Sequence, residues 1–186
     1  CGFSKVRAGT FNIHNHDEAF YAESEFFIDR SNLELKIQKI ITSLEKDSNE
    51  YIKNINVMIE SPEMLSVGIS LSKKINGSKL KQANIQFLVQ DAKQQILKYY
   101  GDQTIIHIMV MNNKIDNVEY ATLPDEINCN LISLDILFVC ISKETTEYFK
   151  KIFSQFDILL NKFICTSYAK SNNYKNNFSF ADNLLF

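Results

Sequence analysis

Residues 65–100 run LSVGISLSKKINGSKLKQANIQFLVQDAKQQILKYY. Up to Ile75 apolar side chains fall at alternate positions, Leu65, Val67, Ile69 and Leu71, the period of a strand with one covered face. Asn76-Gly77 ends the strand as a turn, since both residue types tolerate the left-handed backbone. The period then changes. From Leu80 to Tyr100, Leu80, Ala83, Phe87, Leu88, Ala92, Ile96 and Tyr99 share one face of a long helix, which Gly101-Asp102 closes. Thr104 to Met111 and Leu131 to Ile141 are β-rich apolar runs, joined by a polar connection that contains Pro124. Residues 63–142 thus read as a strand-helix-strand-strand unit. Its helix is expected to cover one sheet face through Phe87, Leu88, Ile96 and Tyr99, leaving the opposite sheet face or an edge strand available to another subunit or partner, with the edge as the expected docking surface.

On the N-terminal side, Val6 to Ile13 reads as extended, Asn12 to Asp17 as a turn, and Ala19 to Ile28 as an aromatic return strand. Leu33, Ile37, Ile40, Ile41 and Leu44 carry helical spacing over three to four turns, with Asp29, Ser31 or Asn32 available as the N-cap. Ile55 to Ile59 is a short strand closed by Ser61-Pro62, because proline cannot donate to a ladder. On the C-terminal side, Lys143 to Phe156 is an amphipathic helix capped by Ser142, with Tyr148, Phe149, Ile152, Phe153 and Phe156 on its apolar face. A strand over Ile158 to Cys165 and a short helix over Ser167 to Tyr174 follow. Two flanking α/β segments, 1–62 and 143–186, therefore surround an inserted α+β module, 63–142.

Composition limits the function classes. With 45% hydrophobic and 23% charged residues in 186, the chain can bury a core without a metal or disulfide staple. The net charge of -2 gives no basic field, so no nucleic-acid partner is expected. The longest apolar run, Ile132 to Ile141, is broken by Ser133 and Asp135 and falls short of the roughly 20 residues that span a bilayer. Cys1, Cys129, Cys140 and Cys165 lie far apart without a C-x-x-C spacing, which fits thiols better than a disulfide framework or a zinc site. Asn183-Leu184-Leu185-Phe186 reads as the start of a strand, so the chain is expected to be a fragment of a longer one.

Chemistry-bearing residues are sparse. Gly2 would let backbone N–H groups approach an anion, Ser4 could donate to a phosphate oxygen and Lys5 could neutralise charge; the stretch Gly2 to Lys5 also reads as an ordinary hairpin turn with a solvated lysine. His14, His16 and Asp17 alternate as metal ligands can, yet six polar or turn-prone residues in a row point to a hairpin tip, and no metal site is expected. His107 falls in an apolar strand. Asp116 with Glu119, or Asp125 with Glu126, sit in a polar connection where solvated charge is the default, so no catalytic residue is assigned. Lys73, Lys74, Lys79 and Lys81 form a local positive patch at the strand-to-helix turn.

Cys1-Gly2-Phe3-Ser4-Lys5-Val6-Arg7-Ala8-Gly9 resembles the first phosphate loop of the actin and sugar-kinase superfamily, with its small hydroxyl and basic residues on a strand-turn-strand. The order of hairpin, helix, strand, inserted module, helix and strand resembles the N-terminal half of the bacterial cell-division actin homologues of the FtsA family. Phe163-Ile164-Cys165-Thr166-Ser167-Tyr168-Ala169 is similar to the strand and helix start that precede that family's second phosphate loop. The resemblance implies an actin-like (ribonuclease H-like) subdomain 1A in two parts, with an inserted SHS2-type subdomain 1C at 63–142. It implies ATP with Mg bound through Gly2, Ser4 and Lys5 in the full-length protein, weakly or not at all in this fragment. Hydrolysis would be slow at most. It further implies self-assembly into filaments, late division partners at residues 63–142, and FtsZ binding through regions outside the fragment. The full-length protein would work in the cytoplasm, at the inner face of the membrane at the division site. A pilus-assembly actin homologue and a metabolic kinase or chaperone ATPase of the same superfamily are the alternatives.

Overall fold

A computed structural model describes residues 6–11, 19–24, 30–124 and 127–177. The chain is mixed α/β and divides into two compact units, one of residues 1–62 with 147–186 and the other of residues 63–146. Among the described residues no helix is long and apolar enough to cross a membrane.

In the first unit, β1 (Val6–Phe11) and β2 (Ala19–Ser24) form an antiparallel ladder, Val6 opposite Ser24 and Phe11 opposite Ala19. α1 (Arg30–Ser48) packs against both. Its five spaced apolar residues, Leu33, Ile37, Ile40, Ile41 and Leu44, are all buried. At 19 residues the helix is longer than the apolar period predicts, extending beyond Leu33 and Leu44 at both ends. Its start at Arg30 puts Ser31 and Asn32 inside the helix, so neither is the N-cap; Asp29 lies outside the described residues. Asn49, at φ 56°, turns the chain out of the helix in the left-handed conformation that asparagine tolerates.

β3 (Asn54–Ile59) finds its partner only at the far end of the chain. It pairs in parallel with β8 (Leu159–Cys165), Asn54 opposite Leu159 and Ile59 opposite Cys165, with one register shift between Ile55 and Asn56. Parallel strands need a crossover, and this one carries the whole second unit before returning through α3 (Lys143–Ser154). Ser142 Oγ accepts the Thr145 N–H at 3.1 Å, the N-cap read from the sequence. Glu144 occupies the first turn, where the helix dipole favours a negative charge. Phe149, Ile152 and Phe153 are buried, and the Phe149 ring meets Phe163 of β8 edge-on at 5.9 Å. α4 (Thr166–Asn177) follows β8 directly.

The second unit is a four-stranded antiparallel sheet in the order β4-β7-β5-β6, with α2 on one face. β4 (Leu65–Lys74) pairs with β7 (Leu131–Ser142) without a break from Leu65 opposite Cys140 to Lys74 opposite Leu131. β5 (Gln103–Ile115) lies on the other side of β7, with register shifts at Ile105/His107 and Val110/Asn112. Leu88, Ala92 and Ile96 of α2 (Gln82–Tyr99) close on Ile132, Leu134, Ile136 and Phe138 of β7, all of them buried. Burial of each leucine, isoleucine or phenylalanine among them stabilises the fold by about 1.5–3 kcal/mol.

Two expectations need correction here. The polar connection after β5 contains a further short strand, β6 (Val118–Tyr120), so the unit has four strands and not three. Asp116 and Asn117, at φ 48° and 68°, make the two-residue hairpin turn that produces it. The helix covers the sheet through Leu88 and Ile96 as expected, but Phe87 and Tyr99 are 55% and 75% exposed. Phe87 is displaced by about 100° round the helix from Leu88, which turns it to the flank of the buried arc.

Candidate functional site

Among the described residues, those singled out from the sequence do not converge. Gly2, Ser4 and Lys5 lie outside the described residues, as do His14, His16, Asp17, Asp125 and Glu126. His107 is half-buried on β5, opposite Val139 of β7. Asp116 and Glu119 are no acid/base pair. The Asp116 carboxylate accepts the backbone N–H groups of Asn130 and Leu131 at 2.9 and 2.8 Å, tying the hairpin turn to the start of β7. Glu119 pairs with Lys114 at 3.1 Å across the β5–β6 ladder. Among the described residues no group of three or more His, Cys, Asp or Glu is placed to hold a metal ion. Cys129 and Cys140 are buried thiols; burial pushes both above the ordinary range, with the Asp116 charge adding to the effect at Cys129, so neither offers a thiolate.

The first unit holds an open cleft of about 670 Å³ between α1 and the segment that leads into β3, with Gln38, Thr42, Glu45 and Tyr51 among its lining residues. Glu45, its most chemically useful group, is engaged: Oε1 accepts the Ile52 N–H at 3.0 Å.

More is assembled on the sheet of the second unit. Because β4 alternates, Ser66, Gly68, Ser70 and Ser72 stand on the face away from α2. Ser70 is opposite Asp135, and the Ser70 hydroxyl donates to Asp135 Oδ1 at 2.6 Å. From the other side, Asn112 Nδ2 donates to Asp135 Oδ2 at 3.1 Å. The Ser70 and Asn112 donors, with a smaller contribution from the Lys114 charge, hold the Asp135 carboxyl below its usual range. Ser72 and Ser133 share a hydrogen bond of 2.7 Å one step along the ladder. In the sequence Ser133 and Asp135 stand out only as breaks in an apolar run. The readable signal was the matching row of small polar residues in β4, since two strands with polar residues at the same phase share a polar face.

The other face presents a groove along the outer edge of β4. α2 forms its wall, and a cavity of about 380 Å³ lies where Val67, Gly68 and Ile69 meet Gln95, Ile96 and Tyr99. At the far end of the strand, Lys73 Nζ sits 3.8 Å from the centre of the Phe87 ring, a cation–π contact. Of the four lysines in the sequence patch, Lys73 is thereby placed on the groove, while Lys74 points to the opposite face. This surface has one largely apolar cavity, exposed aromatics and a strand edge. An apolar cavity so placed is a surface that an extended or apolar segment could contact.

Searches against known protein families and against curated proteins find no match to this chain.

Proposed function

We propose that this chain is part of an FtsA-type actin homologue: an ATP-binding, self-assembling scaffold that links the FtsZ ring to the membrane in bacterial cell division. The observation that carries this reading is the way the second unit is inserted. A four-stranded antiparallel sheet with one helix enters after β3 and leaves into α3, while β3 and β8 on either side of it pair in parallel. An actin-like subdomain 1A interrupted by an SHS2-type module has this element order, and the resemblance in the sequence supplies the family.

On this reading the first unit contributes to the nucleotide cleft, with Gly2, Ser4 and Lys5 at the phosphates of Mg-ATP. The second unit is the interaction module for self-assembly and late division partners. The exposed aromatics and the strand edge of the second unit support its role as an interaction module. A fluorescent fusion of the full-length protein tests the reading in dividing cells. It is expected to form a mid-cell band coincident with FtsZ that disperses when FtsZ is depleted; a signal spread evenly through the cell, indifferent to FtsZ, would rule the proposal out.

A further inference from the structure

We infer that Asn76-Gly77 is a site of spontaneous covalent modification, deamidation to aspartate and isoaspartate, and that a clasp of hydrogen bonds anchored on Asp116 holds it closed. The inference stands on the second unit alone and does not depend on the proposed function. Asn-Gly occurs once in the chain, and glycine lacks the Cβ that would keep its backbone nitrogen away from the preceding side chain. Both residues are exposed, so water reaches them. In the reaction the Gly77 backbone nitrogen attacks Asn76 Cγ, and its proton departs with the side-chain amide as ammonia, leaving a five-membered succinimide. Water then opens either carbonyl of the ring and returns an aspartate or an isoaspartate. Water is thus the only co-reactant, and nothing is oxidised or reduced.

The folded chain withholds the attacking nitrogen. Asn76 and Gly77, at φ 55° and 76°, form a two-residue turn that the Ser78 N–H closes on the Ile75 carbonyl at 3.2 Å. The Gly77 N–H donates to the Cys129 carbonyl at 2.9 Å, which keeps both the proton and the nitrogen in place. The Ile75 and Asn76 N–H groups donate to the Asn130 carbonyl at 2.7 and 3.2 Å. These carbonyls lie on a segment that Asp116 fixes in turn: its carboxylate accepts the Asn130 and Leu131 N–H groups, and its own N–H donates to the Leu131 carbonyl at 2.9 Å. A carboxylate in the β5–β6 turn therefore governs chemistry at a distant turn, because Gly77 is released when residues 129–131 lift. The two products differ in consequence. Aspartate keeps the turn, since Asp-Gly suits the same backbone, and its charge reduces the positive patch of Lys73, Lys74, Lys79 and Lys81. Isoaspartate adds a main-chain carbon and breaks the match between the turn and the Cys129 and Asn130 carbonyls.

The full 186-residue chain tests this when aged in mildly alkaline buffer at physiological temperature. At intervals the tryptic peptide of residues 75–79 is weighed for the change from amide to acid, and isoaspartate is counted with an isoaspartyl methyltransferase. The native chain should convert at least about tenfold more slowly than the same chain unfolded in urea. Asp116→Gly removes the carboxylate while still allowing the positive φ at that position, and the native variant should convert about tenfold faster than the native parent, as loss of hydrogen bonds to a charged group implies. Ile136→Val trims the core of the same sheet away from the clasp and should convert at the parent rate. Amide hydrogen exchange at Gly77 gives a second reading, slow in the parent and in Ile136→Val and faster in Asp116→Gly. Should Asp116→Gly fail to fold, the comparison of native with unfolded parent and the Gly77 exchange of the parent still decide. Equal conversion of native and unfolded chain, no conversion at Asn76 even in urea, or a folded Asp116→Gly that behaves like the parent or like Ile136→Val would overturn the proposal.

Discussion

Asp135 lies on β7, an inner strand of its sheet, with a serine donor on one side and an asparagine donor on the other. Its lowered pKa makes folding pH-dependent with a definite sign. A carboxyl depressed in the folded chain contributes stability that is present above its unfolded pKa and lost as pH falls through the folded value, so the effect belongs to the acid limb below about pH 4. Ser70→Ala removes the largest contributor. The Asp135 pKa, followed by carbon NMR of its carboxyl group, should then move up toward the ordinary range, and the acid limb of the stability curve should become shallower. An unmoved titration would mean that Ser70 is a neighbour and not a determinant. The sequence was least legible at this scale. Asp116 looks like a solvated loop charge until the turn it occupies brings two backbone N–H groups to its carboxylate, and that closure depends on β7, fourteen residues away.

Helix α2 shows why elements were read more accurately than the faces they bury. Its period, its end at Gly101 and the turn at Asn76-Gly77, with φ values of 55° and 76°, all follow from local chemistry. Which of its apolar residues are covered depends on where the sheet lies beneath it. α2 sits toward β4 and β7, leaving Phe87 on the flank and Ile108 and Val110 of β5 more than a third exposed. Two truncations separate these roles. Leu88→Ala should lower unfolding stability by about 2–5 kcal/mol, the cost of a cavity in a packed core. Phe87→Ala should cost under about 1 kcal/mol, chiefly its contact with Lys73. Denaturant titration gives both values, and equal losses would place Phe87 in the core after all. β6 was missed for a related reason: a three-residue strand has too few positions for alternation to register, and its signal was the Asp116-Asn117 pair.

For the whole molecule, the pairing that matters most joins residues about a hundred positions apart. Nothing local in Asn54–Ile59 announces Leu159–Cys165 as its parallel partner; each strand was legible, and the partnership was visible only through the order of elements. That partnership lets a complete sheet-and-helix unit sit between two halves of another, each unit with a core of its own. On the proposed reading, the parent unit serves the nucleotide and the inserted unit serves assembly, so the two activities should be separable. The decisive measurement is deletion of residues 63–142 from the full-length protein, which leaves β3, α3 and β8 in the chain. Calorimetry with Mg-ATP and negative-stain microscopy on a lipid monolayer are then run on the same preparation. The account predicts nucleotide binding like that of the intact protein and no filaments. Normal filaments from the deletion variant, or loss of ATP binding from a variant that remains folded, would contradict it.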